Sequence, residues 1–265
     1  MDKELSPWWR RVLILLMVSG FSTLGYLAAR NYRDAPPIPE RVVVPGRGTL
    51  FTRQEILAGQ QIFLSRGLME NGTIWGHGAY LDPDFSAEYL HTMAIHIRAA
   101  MLTRFKQDSS APKINDADVL DAEVAHTLKE NRYDPKSDKL TFTAAEANSF
   151  DEQQAKWRDY FSAPDHNGGL TAGLIQNPDE LRKPTAFFAW TAWASAARRP
   201  DRVYSYTNNF PYDPLAGNAP TSDALLWSAM SLLMLLGGSP QCSSPSAASI
   251  TSDGRTAAVP GARRR

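Results

Sequence analysis

The sequence predicts a mainly α-helical chain: an N-terminal transmembrane helix, a polar helical domain, and a second, incomplete apolar helix. Three observations carry this. Residues 12–29 form an uncharged apolar run. Between residues 51 and 222 the apolar positions recur at steps of three and four. A second apolar run over 224–238 breaks off into low-complexity sequence.

The first run reads VLILLMVSGFSTLGYLAA, and as a helix it spans ~27 Å against a hydrocarbon core of ~30 Å. Ser6 and Pro7 suit an N-cap and first helical position. Trp8, Trp9 and Tyr26 sit where an interfacial aromatic belt belongs. A cleaved signal peptide is the competing reading, since Arg10 and Arg11 precede the run. The run exceeds a usual signal core and no A-x-A cleavage site follows, so an uncleaved anchor is favoured. Lys3, Arg10 and Arg11 before it nearly balance Arg30, Arg33 and Arg41 after it, so charge sets orientation weakly.

Residues 30–50, with Pro36, Pro37, Pro39 and Pro45, read as an extended linker with a short strand at 42–44. The domain follows over 51–222. Thr52 with Glu55 forms a capping box, opening a helix that ends near Gly67. The next helix starts at Ser86, with Leu90, Met93, Ile97, Met101 and Phe105 on one face. A third begins at Asn115 or Asp116 and turns Val119, Leu120, Val124 and Leu128 inward. Residues 139–143 suit a short strand. Thr143 and Glu146 form another capping box, leading a helix toward Phe161. A last domain helix starts at Pro184 and carries Phe187, Phe188, Trp190 and Trp193. Residues 204–214 are turn-rich and irregular.

Composition excludes several functions. Lys plus Arg and Asp plus Glu each number 28, so no net charge argues for nucleic acid. One cysteine excludes an intrachain disulfide framework, a cysteine-based zinc site and the two-thiol C-x-x-C-H attachment of a c-type haem. His77, His91, His96, His126 and His166 all lie in the domain. His91 and His96 are five residues apart, which turns them off a common helix face, so surface or capping roles outweigh a metal site. His77 stands between Gly76 and Gly78 in WGHGAY. A tight turn tucked onto the core by Trp75 and Tyr80 is preferred there over a ligand loop. The aromatic set 187–193 suits a core face, or a surface resting on a membrane or a partner helix, rather than a cofactor box. The sequence therefore assigns no catalytic, cofactor-binding or metal residue.

The second apolar run covers ~22 Å, short of a span. Residues 239–265 are rich in Ser, Ala, Pro, Gly and Arg and have no apolar period, so no packed structure is expected there. A re-entrant segment with a disordered tail competes with a shifted reading frame, and the sharp change of character favours the shifted frame.

Taken together, PPIPE (36–40), ILAGQQIF (56–63), WGHGAYLDPDFSAEYLH (75–91) and FFAWTAWASAARRPDRVYSYTNNFPYDPL (187–215) resemble the amino-terminal part of quinol-dependent nitric oxide reductase. That enzyme is a single-chain member of the haem-copper oxidase superfamily. The resemblance runs from about residue 8 to 237 and is least distinctive over 107–180. It implies a bacterial inner-membrane anchor with a cytoplasmic amino terminus and a periplasmic, cytochrome c-like domain without haem. In cytochrome c-dependent sister enzymes a C-x-x-C-H motif precedes a similar G-x-G-A-Y block. Here Leu68 and Asn71 stand at the thiol positions and Gly72 at the axial histidine.

The family reduces nitric oxide to nitrous oxide, in denitrification or detoxification, with two b-type haems, a non-haem iron and electrons from quinol. Those metals are held on later membrane helices by histidines and a glutamate. Neither apolar run here contains a histidine, so no catalytic residue carries over. The expectation is a truncated chain, inactive alone, with no cofactor of its own. Membrane lipid is its expected partner, and quinol and nitric oxide partner only a full-length relative. The rivals are a membrane-anchored sensing or binding module and an accessory subunit of a haem-containing membrane complex.

Overall fold

The computed structural model describes residues 7–107, 117–163 and 167–238. Two compact units divide at Thr221 and Ser222. The first holds helix α1 (Pro7–Arg33) and the domain. Its described residues from Trp8 to Arg33 are long and apolar enough to cross a membrane. The helix extends beyond the uncharged run at both ends, because Arg10, Arg11, Arg30 and Arg33 are compatible with helical backbone even where they end the apolar stretch. Ser6 lies outside the described residues.

The domain opens on a hairpin, strands β1 (Arg41–Val44) and β2 (Gly48–Thr52), antiparallel with a register shift between Val42 and Val43. Strands β3 (Thr73–Ile74) and β4 (His77–Gly78) form a second, separate hairpin. Strands β5 (Tyr133–Asp134) and β6 (Lys139–Thr141) join the first, giving a four-stranded sheet in the order β2-β1-β6-β5. The β1–β6 pair is parallel. Residues 41–50, expected to end an extended linker, are therefore mostly sheet. Val42, Val44 and Leu50 are buried, and the ladder supplies backbone partners that an extended linker would leave to water.

Five helices build the rest: α2 (Arg53–Ser65), α3 (Phe85–Gln107), α4 (Ala117–Lys129), α5 (Ala144–Ser162) and α6 (Pro178–Ala196). Both capping boxes form, Thr52 with Glu55 and Thr143 with Glu146. The start expected at Asn115 or Asp116 lies outside the described residues. On α4, Leu120, Val124 and Leu128 are buried, but Val119 is 51% exposed, contrary to expectation. One residue rotates a helical side chain by ~100°, and the four-residue spacing of the other three fixes which face turns inward.

Helix α6 starts six residues before the expected Pro184. Asn177 accepts a hydrogen bond from Asp179 N at 2.9 Å, and Pro178 takes the first helical turn. Pro184 then lies inside the helix, buried with every residue after it to Ala196. Helix α2 crosses closely here: a Cβ on Gly59 would fall 2.1 Å from the Lys183 carbonyl oxygen. Tertiary packing thus holds the helix through a proline that would weaken it alone.

The core is aromatic. Phe85 and Phe188 stack with centroids 4.9 Å apart, and Trp157 meets Phe188 at 5.2 Å. Phe63 packs on Phe85 and on Phe187, each at 5.8 Å. The set at Phe187, Phe188, Trp190 and Trp193 is buried, as core rather than as a cofactor box.

The second unit contains α7 (Ser222–Gly238), an apolar helix shorter than α1. Its Leu225 to Leu236 face is exposed within the chain. The tail expected to be out of frame, with Cys242, lies outside the described residues.

Candidate functional site

The two most specific blocks of the sequence fold into adjoining corners. In the first, Leu68–Glu70 make a turn of 3-10 helix, followed by the β3–β4 hairpin. The Asp84 carboxylate organises it. It accepts from Thr73 Oγ1 at 2.8 Å, Gly76 N at 2.6 Å, Ala87 N at 2.9 Å and the Ser86 hydroxyl. Trp75 adopts positive φ and donates its indole N–H to the Thr191 carbonyl at 3.1 Å. Gly78, at φ +142°, passes so close to the preceding turn that a Cβ would lie 2.3 Å from Gly72 O. The WGHGAY segment is thus a tight turn anchored by Trp75. Tyr80 does not tuck inward. It is 82% exposed and donates to Gly76 O at 2.8 Å, because the turn leaves it on the solvent side.

The second block, 204–214, is irregular as expected and heavily cross-linked by amides. Asn208 and Asn209 both have positive φ, which asparagine tolerates better than most residues. Asn209 Oδ1 accepts from Ser205 N at 3.0 Å and from Lys129 Nζ at 3.1 Å. Lys129 also donates to Asn218 Oδ1. The Asn218 amide nitrogen donates to Ser195 O at 2.9 Å and Pro211 O at 3.1 Å. Burial, with the Arg198 guanidinium alongside, pulls the Lys129 ammonium down to about 8. The two blocks touch: a Cβ on Gly76 would meet the Phe210 ring at 3.1 Å. His91 Nδ1 lies 2.8 Å from the buried Asp213 carboxylate.

Residues 39–212, most of the domain just described, match the family of the cytochrome c-like domain of the nitric oxide reductase NorB. The chain belongs to that family. No curated protein matches it. The cytochrome c-like domain thus sits directly after a helix long enough to anchor it in a membrane.

In cytochrome c-like terms the informative stretch is Leu68–Gly72. Leu68 is fully buried. Asn71 is buried and donates to Asp82 Oδ2 at 2.8 Å and to Asn167 O at 3.0 Å. A Cβ on Gly72 would come within 2.6 Å of the Phe85 ring and of Pro83 O. These positions offer neither thiol nor imidazole, and their side chains or backbone are engaged in packing. They do not fit a covalently held haem.

The histidines also have local roles. His96 lies 3.0 Å from Ser149 Oγ through Nδ1 and 3.1 Å from Glu152 through Nε2. His77 and His126 are exposed, on β4 and α4 respectively. His166 lies outside the described residues. Among the described residues no group of three His, Cys, Asp or Glu is arranged to hold a metal ion.

Sequence reasoning missed Lys129, Asn209 and Asn218 as a buried node. The asparagine-rich turn was visible, but its partner lies 80 residues away on another helix. It also missed Glu146 as the buried half of an ion pair: Arg132 reaches both its oxygens, at 2.6 and 2.7 Å. Burial raises the Glu146 carboxyl above its ordinary range, against the pull of Arg132.

Proposed function

We propose that this chain is the anchor and periplasmic, haem-less cytochrome c-like part of a quinol-dependent nitric oxide reductase of the bacterial inner membrane, without reductase activity of its own. The family match over 39–212 is the observation that carries this reading. The absence of thiol and imidazole at Leu68, Asn71 and Gly72 supports the haem-less type. The reaction of such an enzyme takes two nitric oxide molecules, two electrons and two protons to nitrous oxide and water, and b-type haems and a non-haem iron held outside this chain's residues would supply its redox chemistry. Ionisable ligands inside membrane helices are the signature of such centres. Neither apolar run of this chain has a histidine, and the described histidines serve the domain's own contacts or its surface. The role proposed for this part is to carry a folded domain beside the membrane, tethered by α1.

The test is expression of the full chain in membranes, with the visible spectrum recorded and nitric oxide followed at an electrode in the presence of reduced quinol. The expected result is no haem b signal and no consumption above membranes lacking the chain. Either signal overturns the inactive reading.

A further inference from the structure

A basic cleft lies where α1 meets the domain. Arg30 and Arg33, on the last turn of α1, form one wall, and Arg199 and Arg202, in the loop after α6, form another. Tyr204 and Tyr206 line it as well, and its volume is about 390 Å³. We propose that this cleft binds the phosphate of an anionic lipid headgroup, fixing the domain's seat on the membrane.

Among the described residues, four guanidinium groups line the cleft against one carboxylate, Asp34. Asp34 is shared, 3.5 Å from Arg30 Nε and 3.4 Å from Arg33 Nε. Its single charge cannot balance the set, and a phosphodiester supplies the missing anion in the forked geometry that guanidinium groups favour. Arg199 is already preorganised. It donates to Tyr206 O at 2.7 Å and lies over the Tyr206 ring at 5.5 Å. Among the described residues its buried Nε–H has no acceptor. A neighbouring cleft of about 470 Å³ shares Arg199 and Arg202 and adds Lys129 and Arg198 against the Glu130 carboxylate, so the basic set continues beyond the first cleft.

Depth decides between a lipid and a free anion. The uncharged run of α1 ends at Ala29, so a helix filling the hydrocarbon leaves Arg30 and Arg33 at headgroup level. Tyrosines belong at the same level. The inference rests on the anchor reading of α1, though not on which side the domain faces.

The test uses the full chain in neutral detergent and native mass spectrometry, with dioleoylphosphatidylglycerol, dioleoylphosphatidylcholine and inorganic phosphate as probes. The variant is Arg33→Gln with Arg202→Gln. Both residues are exposed, so the core remains intact, as an unchanged circular dichroism spectrum checks. Phosphatidylglycerol should be retained by the native chain at least about tenfold more strongly than by the variant, and more strongly than phosphatidylcholine. Arg33→Lys with Arg202→Lys, keeping charge without the fork, should fall between. Equal retention by native chain and Gln variant overturns the site. Equal retention of the two lipids, or binding of inorganic phosphate in preference to phosphatidylglycerol, overturns the lipid assignment. Release of the chain from membranes by alkaline carbonate is a different failure: it removes the anchor itself.

Discussion

The middle and the C-terminal end of α6 solve the same burial problem by different physics. At its midpoint, Phe187 and Phe188 enter an aromatic cluster with Phe63, Phe85 and Trp157. Nothing directional is required there; area and shape suffice, and the gain scales with apolar surface removed from water. At its far end, Ser195 O accepts from Asn218, and Arg198 N donates to Lys129 O at 3.1 Å. There a buried ammonium is tolerated because two asparagine carbonyls face it. The apolar middle tolerates replacement in proportion to volume. The polar end works only when its donors and acceptors are all present.

Substitutions can break that contrast. Each is measured by urea unfolding of the full chain in neutral detergent. Phe188→Ala should have the largest effect, a loss of about 3–5 kcal/mol from the cavity it opens. A loss below about 1 kcal/mol would mean that the cluster collapses freely around the gap. Lys129→Met should cost about 2 kcal/mol, since it leaves the buried Asn218 Oδ1 without its donor while Asn209 Oδ1 keeps Ser205 N. A stabilised Met variant would show that the node selects a conformation rather than adding stability.

The pH dependence sharpens the same point. With the Lys129 pKa at about 8 when folded and 10.5 as the ordinary value, the unfolded chain binds more protons between those limits. Stability from this group therefore rises as pH climbs through the window. The expected gain is about 2 kcal/mol, less than the full displacement implies, because buried sites relax and admit water. Lys129→Met should abolish that rise, and an unchanged slope in the variant would assign it to another group. The smallest effect belongs to neither region: Thr143→Ala should cost about 1 kcal/mol by removing one N-cap. A cost several times larger would show that the α5 cap also supports the Glu146–Arg132 pair.

Legibility followed the range of the interactions. The capping boxes at Thr52 and Thr143 were readable because each closes within four residues. On α3 the burial of Leu90, Met93 and Ile97 followed from period alone, while Met101 and Phe105 farther along the same face are only half-buried. The start of α6 was written in Asn177, Pro178, Asp179 and Glu180, an N-cap, an N1 proline and an acidic first turn. Pro184 offers a second plausible start, and only the seat of Gly59 against Lys183 shows that the helix runs through it. Strand β2 was hidden for a similar reason. Gly48–Thr52 is too short to declare itself and becomes a strand by pairing with β1. Tyr80 has the composition of a core residue, and the turn geometry directs it outward.

The sequence by itself determined the mainly helical content, the apolar helix fit to anchor the chain, the family, and the lack of thiol and imidazole at Leu68, Asn71 and Gly72. These depend on residue identity and local period. Only the tertiary structure decided that Lys129, Asn209 and Asn218 share one buried node. It also brought the Gly76 and Phe210 turns into contact, and set the arginines of α1 across a cleft from those after α6. The physical reason is that hydrogen bonds and charge act over a few ångströms. Residues from separate segments come within that reach only after burial of the aromatic core has closed the loops between them.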